Sequence, residues 1–373
     1  MILTIKKIFP IALTIVALVM AYFQIQSFQE KNLEVVIEEE IVKATVLHVI
    51  TEDTVTFDNR EYVSQSLQIE VNSGSLKQKI VTVESTLTPK FKNTKYQKGD
   101  KLILGYMTSG AQNENFYIIS YDRALYVYIL GGMFILLSLI IARKKGVYSL
   151  LGMGLSLLIL TVFVLPEIIK GSNPLGTAIL GICVMVPVLF YISHGISKKT
   201  TAAVLGTALT LVITAILAMI FVSLMHLTGV TFEEVETLLY VHEGNFDMQG
   251  VLLAGILLGL LGVIDDVAMT QASIVEELFT TQKKLSQLDI FQKAMNVGRD
   301  HIASVINTLI LVYVGGSLTT LLLFTEFPRP LIVLLNSEVV LIPVVVALIG
   351  SIGLIIAIPI TTLLAIVFKI INR

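Results

Sequence analysis

The sequence predicts an α-helical polytopic membrane bundle of about eight transmembrane helices, with one small all-β domain outside the membrane. Three observations predict it. Hydrophobic residues make up 55% of the 373 residues and charged residues 14%, against about 25% charge in an ordinary soluble domain. The shortage of charge is uneven, because long, nearly chargeless runs flank one block of ordinary composition. Inside that block the apolar period changes from helical to two.

Taken in order, the apolar runs give spans near 8–23, 125–142, 148–168, 174–194, 201–228, 250–269, 302–324 and 339–368. Each approaches or exceeds the roughly 20 residues that a hydrocarbon core of about 30 Å requires. The first run admits a second reading. Lys6 and Lys7 precede it, and Val19-Met20-Ala21 has the form of a leader cleavage site. Its 16 residues exceed a leader's usual apolar stretch of about 7–15, so an uncleaved anchor is expected. The last run is longer than a bilayer needs, and Gly350, Gly353 and Pro359 would tilt or break it, with tilt the commoner outcome.

Eight spans put both termini on one side, and positive charge says which. With the N-terminus inside, the inner segments hold Lys6, Lys7, Arg143, Lys144, Lys145, Lys198, Lys199, Lys283, Lys284, Lys293, Arg299, Lys369 and Arg373. The short outer loops hold only Lys170 and Arg329. The expected location is a cytoplasmic membrane with both termini inside and residues 27–122 outside. Tryptophan is absent, so Tyr22, Tyr121, Tyr126, Tyr128 and Tyr148 must serve as interfacial anchors.

The organisation is therefore an anchor at 1–26, an extracytoplasmic β-barrel-like domain at 27–122, and a seven-helix bundle at 123–373. In the outer domain Leu67, Ile69 and Val71 alternate with Ser66, Gln68 and Glu70, as in a half-buried strand. Similar runs occur at 41–50, 79–84, 101–106 and 116–121. Asp58-Asn59, Asn72-Ser73-Gly74 and Gly99-Asp100 supply the turns. Five or six short strands point to a small closed barrel, OB-like or SH3-like by analogy, since closure removes strand edges. The domain shows no site chemistry. Its one histidine is His48, and Glu38-Glu39-Glu40 reads most simply as a solvated stretch.

Several function classes fall away. A net charge of −2 offers no basic patch for nucleic acid. The single cysteine, Cys183, excludes an internal disulfide and a cysteine-based zinc site. There is no Walker loop, no GxGxxG and no HExxH. No enzyme activity, cofactor or metal site is expected.

The chemistry concentrates at the end of the sixth span, where Asp265 and Asp266 terminate an apolar run. A charge at bilayer depth costs about 2.5–3.5 kcal/mol on insertion scales and normally finds a partner or water. Asp266, Thr270, Ser273 and Glu277 recur along one helix face, with Asp265 beside it. Asp300, Ser304 and Asn307 form a second stripe opening the seventh span. Paired, the two stripes would line a polar wedge from the cytoplasm, with Gly315-Gly316 allowing close helix approach below it. The plainer reading is that the aspartates mark where the chain leaves and re-enters the membrane, with Ser304 and Asn307 as interhelical hydrogen-bond glue. Glu167, His194 and His226 lie at span ends, where interfacial solvation explains them. His242 sits in the outer segment 229–249, whose Phe232, Val235, Leu238 and Leu239 suggest a helix resting on the membrane surface. Segment 270–298 reads as a cytoplasmic helical hairpin or bent helix.

The stretch Gly262-Val263-Ile264-Asp265-Asp266-Val267-Ala268-Met269-Thr270-Gln271-Ala272-Ser273 resembles the aspartate-centred signature of the YibE/F-like membrane proteins. So do Gly298-Arg299-Asp300-His301, the run Asn307 to Leu318, and the loop Gly195-Ile196-Ser197-Lys198-Lys199-Thr200. The resemblance implies a bacterial cytoplasmic-membrane protein with an outer β-rich domain, and Asp266 and Asp300 match the family's acidic positions. Asp265 departs from an apolar position there, which weakens any scheme needing two adjacent carboxylates. The functional expectation is a permease or channel-like carrier for a small solute or ion. Asp266 and Asp300 would be its coordinating carboxylates, and Asp265, Thr270, Ser273, Ser304 and Asn307 its lining. The rival is a non-transporting scaffold or sensor whose outer domain binds an envelope partner. Expected partners are the lipid bilayer, a small solute or ion, and a partner membrane protein or second copy.

Overall fold

The structure is a computed structural model of the chain. It describes residues 39–57, 60–85, 88–89, 95–109, 113–230, 246–282, 285–326 and 330–370. The expected first span, the turn Asp58-Asn59 and the segment around His242 with its apolar stripe lie outside the described residues. The chain divides into two compact units, whose described parts are residues 39–141 and 142–370.

The first unit is a six-stranded antiparallel sheet formed by β1 (Glu39–Phe57), β2 (Arg60–Val71), β3 (Ile80–Glu84), β4 (Thr88–Pro89), β5 (Lys101–Ser109) and β6 (Asn113–Tyr121). The order is β3-β2-β1-β5-β6, and β4 pairs with β2. Alternation decides the faces. Val42, Ala44 and Val46 on β1, Leu67, Ile69 and Val71 on β2, and Leu102 and Leu104 on β5 point inward and are buried. Two register shifts in β1, at Val46/His48 and Val49/Thr51, bend the long strand as bulges do. The sheet curls into a half-barrel in which β3 approaches β6. The expected closed barrel is therefore open in its pairing order. The turn glycines expected from sequence are in place: Gly74 (φ 82°) and Gly99 (φ 93°) both take the left-handed conformation, which costs glycine no Cβ clash.

Buried Gln65 clasps the strap after β4. Its side-chain Nε2 donates to the Tyr96 carbonyl at 3.2 Å, and its Oε1 accepts from the Tyr96 N–H at 2.8 Å.

The second part of the chain is helical: α1 (Ala124–Ile159), a π-turn at Leu160–Val164, α2 (Leu165–Ile169), α3 (Pro174–His194), α4 (Lys198–Leu224), α5 (Met248–Thr281), α6 (Gln287–Gly316), α7 (Leu318–Glu326), α8 (Leu331–Leu335) and α9 (Glu338–Ile370). Among the described residues, six helical stretches are long and apolar enough to cross a membrane. The first, Ala124–Ile169, is 46 residues long and is broken at Arg143 (φ 49°, ψ −128°). The π-turn has a local cause. Pro166 lacks an N–H for the ordinary ladder, and Leu165 N–H bonds five residues back to Leu160 O. Side chains cap the later starts: Asn173 accepts from Gly176 N–H, Ser197 from Thr200 N–H, and Asp247 from Gly250 N–H. Ser286 and Asp289 form a reciprocal capping box where the chain turns from α5 into α6.

Burial identifies the solvent these helices are built for. On α4, Leu205, Leu209, Val212 and Ile216 are exposed, while Thr200, Thr207, Thr210 and Thr214 are fully buried. A water-soluble helix would reverse that arrangement, so the outer face is made for lipid. The hydroxyls of Thr210 and Thr214 bond back to the carbonyls of Gly206 and Thr210. Helices α4 and α9 approach closely because Gly206 leaves room for Thr361. α9 stays continuous across Pro343 and Pro359. Gly350 and Gly353 lie against Leu260 and Thr214, so they serve packing rather than a break.

Candidate functional site

Helix α5 builds the site. Asp266, Thr270, Ser273 and Glu277 share one face by their spacing, and the structure turns that face, with Asp265, into an open groove of about 770 Å³. From Asp266 to Glu277 the helix rises about 16 Å at 1.5 Å per residue. Beyond Asp265 the α5 side chains Ile264, Leu261 and Leu260 are buried in the core, and none of them lines the groove.

The other walls come from the part of α1 beyond Arg143 (Lys145, Ser149), from α3 (Leu189, Phe190, Ser193, His194) and from the start of α4 (Lys199). Gly152 permits the α1–α3 approach, since a Cβ there would sit 3.1 Å from Ser193 Oγ and 3.4 Å from Leu189 Cδ1. Gly195 (φ 74°) ends α3 and the Ser197 cap starts α4, which brings Lys199 to the groove's charged end. There Glu276 bridges Lys199 at 3.1 Å and Lys369 at 3.6 Å, tying α4, α5 and α9 together. Neither Asp265 nor Asp266 forms an ion pair among the described residues. Thr270 and Ser273 are half-buried, and Ser273 Oγ donates to Met269 O at 2.8 Å.

Asp300, Ser304 and Asn307 are placed elsewhere. All three are exposed on α6, and none lines the groove. A buried amide explains the relation between the two stripes. Gln271 Nε2 donates to Ala294 O at 3.0 Å and to Thr362 Oγ1 at 2.7 Å, which sets the register of α5 against α6 and α9. Asp265 lies six residues back from Gln271 on α5 and Asp300 six residues on from Ala294 on α6, and only Asp265 faces the groove. Gly298 makes room for this contact: a Cβ there would stand 3.1 Å from Gln271 Oε1. Gly315 and Gly316 face open space, which corrects the expectation that they allow close helix approach.

Among the remaining candidates, His194 lines the groove. Glu167, on α2, is paired with Lys170 at 2.7 Å. His226 forms a turn with φ 50°. Among the described residues no group of three His, Cys, Asp or Glu is placed to hold a metal ion. Sequence reasoning passed over Ser149, Ser193, Lys145 and Lys199 as wall residues, because no single-helix pattern connects residues on three other helices. Gln271 was visible as an amide beside the Asp266–Thr270 stripe. Its role depends on Thr362, 91 positions away.

The family described as YibE/F-like protein has a model that matches residues 130–370. No curated protein and no solved structure matches the chain.

Proposed function

The chain belongs to the YibE/F-like protein family, and from that premise we propose that it is a permease or channel-like carrier for a small solute or ion. One observation carries the reading: a polar groove that reaches about 16 Å along α5 and contains Asp265 and Asp266 at its inner end. Asp265 and Asp266 close the apolar run of the sixth span, where a carboxylate is costly without water or a ligand, and the open groove gives them access to both. Asp266 is the coordinating group. Thr270, Ser273, Ser149 and Ser193 offer hydroxyl oxygens along the way, and Lys199, Lys145 and Glu277 set the charge at the mouth. Asp300, on another face, acts outside this groove. The positive-charge bias supports a cytoplasmic mouth with both termini inside and residues 27–122 outside; a bacterial cytoplasmic membrane, eight spans in all and an OB-like or SH3-like outer domain complete the proposed reading.

The rival reading, a non-transporting scaffold or sensor, has its own support. Asp300, Ser304 and Asn307 present polar groups on an exposed face of α6, a face that a second copy or partner membrane protein would cover.

Single cysteines at 266, 270, 273 and 300 in a Cys183→Ala background, challenged with a membrane-impermeant thiol reagent in oriented vesicles, test the groove. Labelling of 273, 270 and 266 from the cytoplasmic face only, slowed by a transported ion or solute, is the expected result. No labelling at 266 from either face would show that water does not reach the carboxylates and would overturn the carrier reading.

A further inference from the structure

A second polar cleft, of about 690 Å³, lies within the first unit where β6 runs into α1. Its walls include Lys43, Asp100, Lys101, Asp122, Arg123 and three tyrosines, Tyr121, Tyr126 and Tyr128. The two carboxylates are already engaged. Asp122 pairs with Lys43 at 3.0 Å and accepts from the Ala124 N–H at 3.1 Å, and Asp100 accepts from the Gln97 N–H at 2.7 Å. Lys101 and Arg123 have no ion-pair partner among the described residues, and the Arg123 guanidinium lies 5.7 Å from the Tyr121 ring centre. Two cations without an ion pair among the described residues, one of them resting on the Tyr121 ring, thus face one cleft.

The level of the cleft narrows the ligand. Tyr126 is 71% and Tyr128 74% exposed, and residues 129–141 carry no charge. The helix therefore enters hydrocarbon directly beyond the tyrosines, which places them, Leu125 and the two cations at the membrane–water boundary. We propose that this cleft binds the phosphodiester headgroup of an anionic glycerophospholipid, with Lys101 and Arg123 on the phosphate and the acyl chains running down α1. Arginine offers a fork of donors matched to phosphate oxygens, and charge-assisted bonds of this type are among the strong ones. A free phosphate would use the same cations without the apolar wall of Leu125, Tyr126 and Tyr128.

Full-length protein in an uncharged detergent, titrated with equimolar short-chain phosphatidylglycerol and phosphatidylcholine and read by native mass spectrometry, tests the assignment. The expected result is preferential retention of phosphatidylglycerol, an apparent affinity at least about tenfold weaker in Lys101→Gln/Arg123→Gln, and retention by the charge-conserving Lys101→Arg/Arg123→Lys. Wild-type affinity in the neutral double variant, or equal retention of the two lipids, overturns the proposal. Displacement of phosphatidylglycerol by an equal concentration of inorganic phosphate would assign the cleft to the free anion and overturn the lipid as its occupant.

Discussion

One added methyl group at Gly206 should disturb the packing of α4 against α9. A Cβ built there stands 3.1 Å from Thr361 Cβ and 3.2 Å from Thr361 Cα, and far inside contact with Thr361 Oγ1. Ordinary van der Waals contact begins near 3.4 Å. The hydroxyl can swing away, but Cα is backbone, so α4 and α9 must separate by a few tenths of an ångström. Overpacking of this kind costs about 1–3 kcal/mol. Alanine also gains about 1 kcal/mol over glycine in a helix interior, which hides part of the loss. Gly255 is the matched control, because it too lies within a helix and a Cβ there meets nothing within 4 Å. Both substitutions carry the propensity gain, so their difference isolates the clash. Gly206→Ala should unfold at a lower mole fraction of sodium dodecyl sulfate in mixed micelles than Gly255→Ala, by about 1–3 kcal/mol. Adding Thr361→Ala should restore part of it, since the two sites are coupled. Identical curves for the two glycine variants would refute the α4–α9 packing described here.

Two further outcomes follow from polar contacts. Glu338 accepts from Thr228 N–H and Oγ1–H and from Gly229 N–H, each at about 3.0 Å, joining the loop after α4 to the start of α9. Glu338→Ala should lose roughly 1–2 kcal/mol and Glu338→Gln about half of that, with faster amide exchange at Thr228 and Gly229; unchanged exchange would sink the idea. Lys43 and then the Ala124 N–H hold the Asp122 carboxyl below its ordinary range. A lowered pKa means the contact stabilises the fold above the ordinary carboxylate value and is lost as pH falls through and below it. Thermal unfolding of wild type and Asp122→Asn should therefore differ at neutral pH and converge below about pH 4, and parallel curves throughout would count against the Lys43–Asp122 pair.

Sequence alone determined what each segment is. Apolar runs of bilayer length mark helices, the run at 41–50 marks a strand, and the alternation of Leu67, Ile69 and Val71 marks a strand with its inward face, because helix and strand periodicity are properties of a single segment. The same periodicity put Asp266, Thr270, Ser273 and Glu277 on one face, and that face lines the groove. Tertiary structure decided what each face meets. The stripe of Asp300, Ser304 and Asn307 is equally periodic, but it faces away from the groove, because the rotation of α6 is set by Gly298 against α9 and by the Gln271 amide. Gly206, Gly350 and Gly353 became close contacts while Gly315 and Gly316 did not. Identical residues had opposite outcomes because helix rotation depends on steric and hydrogen-bond partners far away in the chain, which local periodicity does not encode.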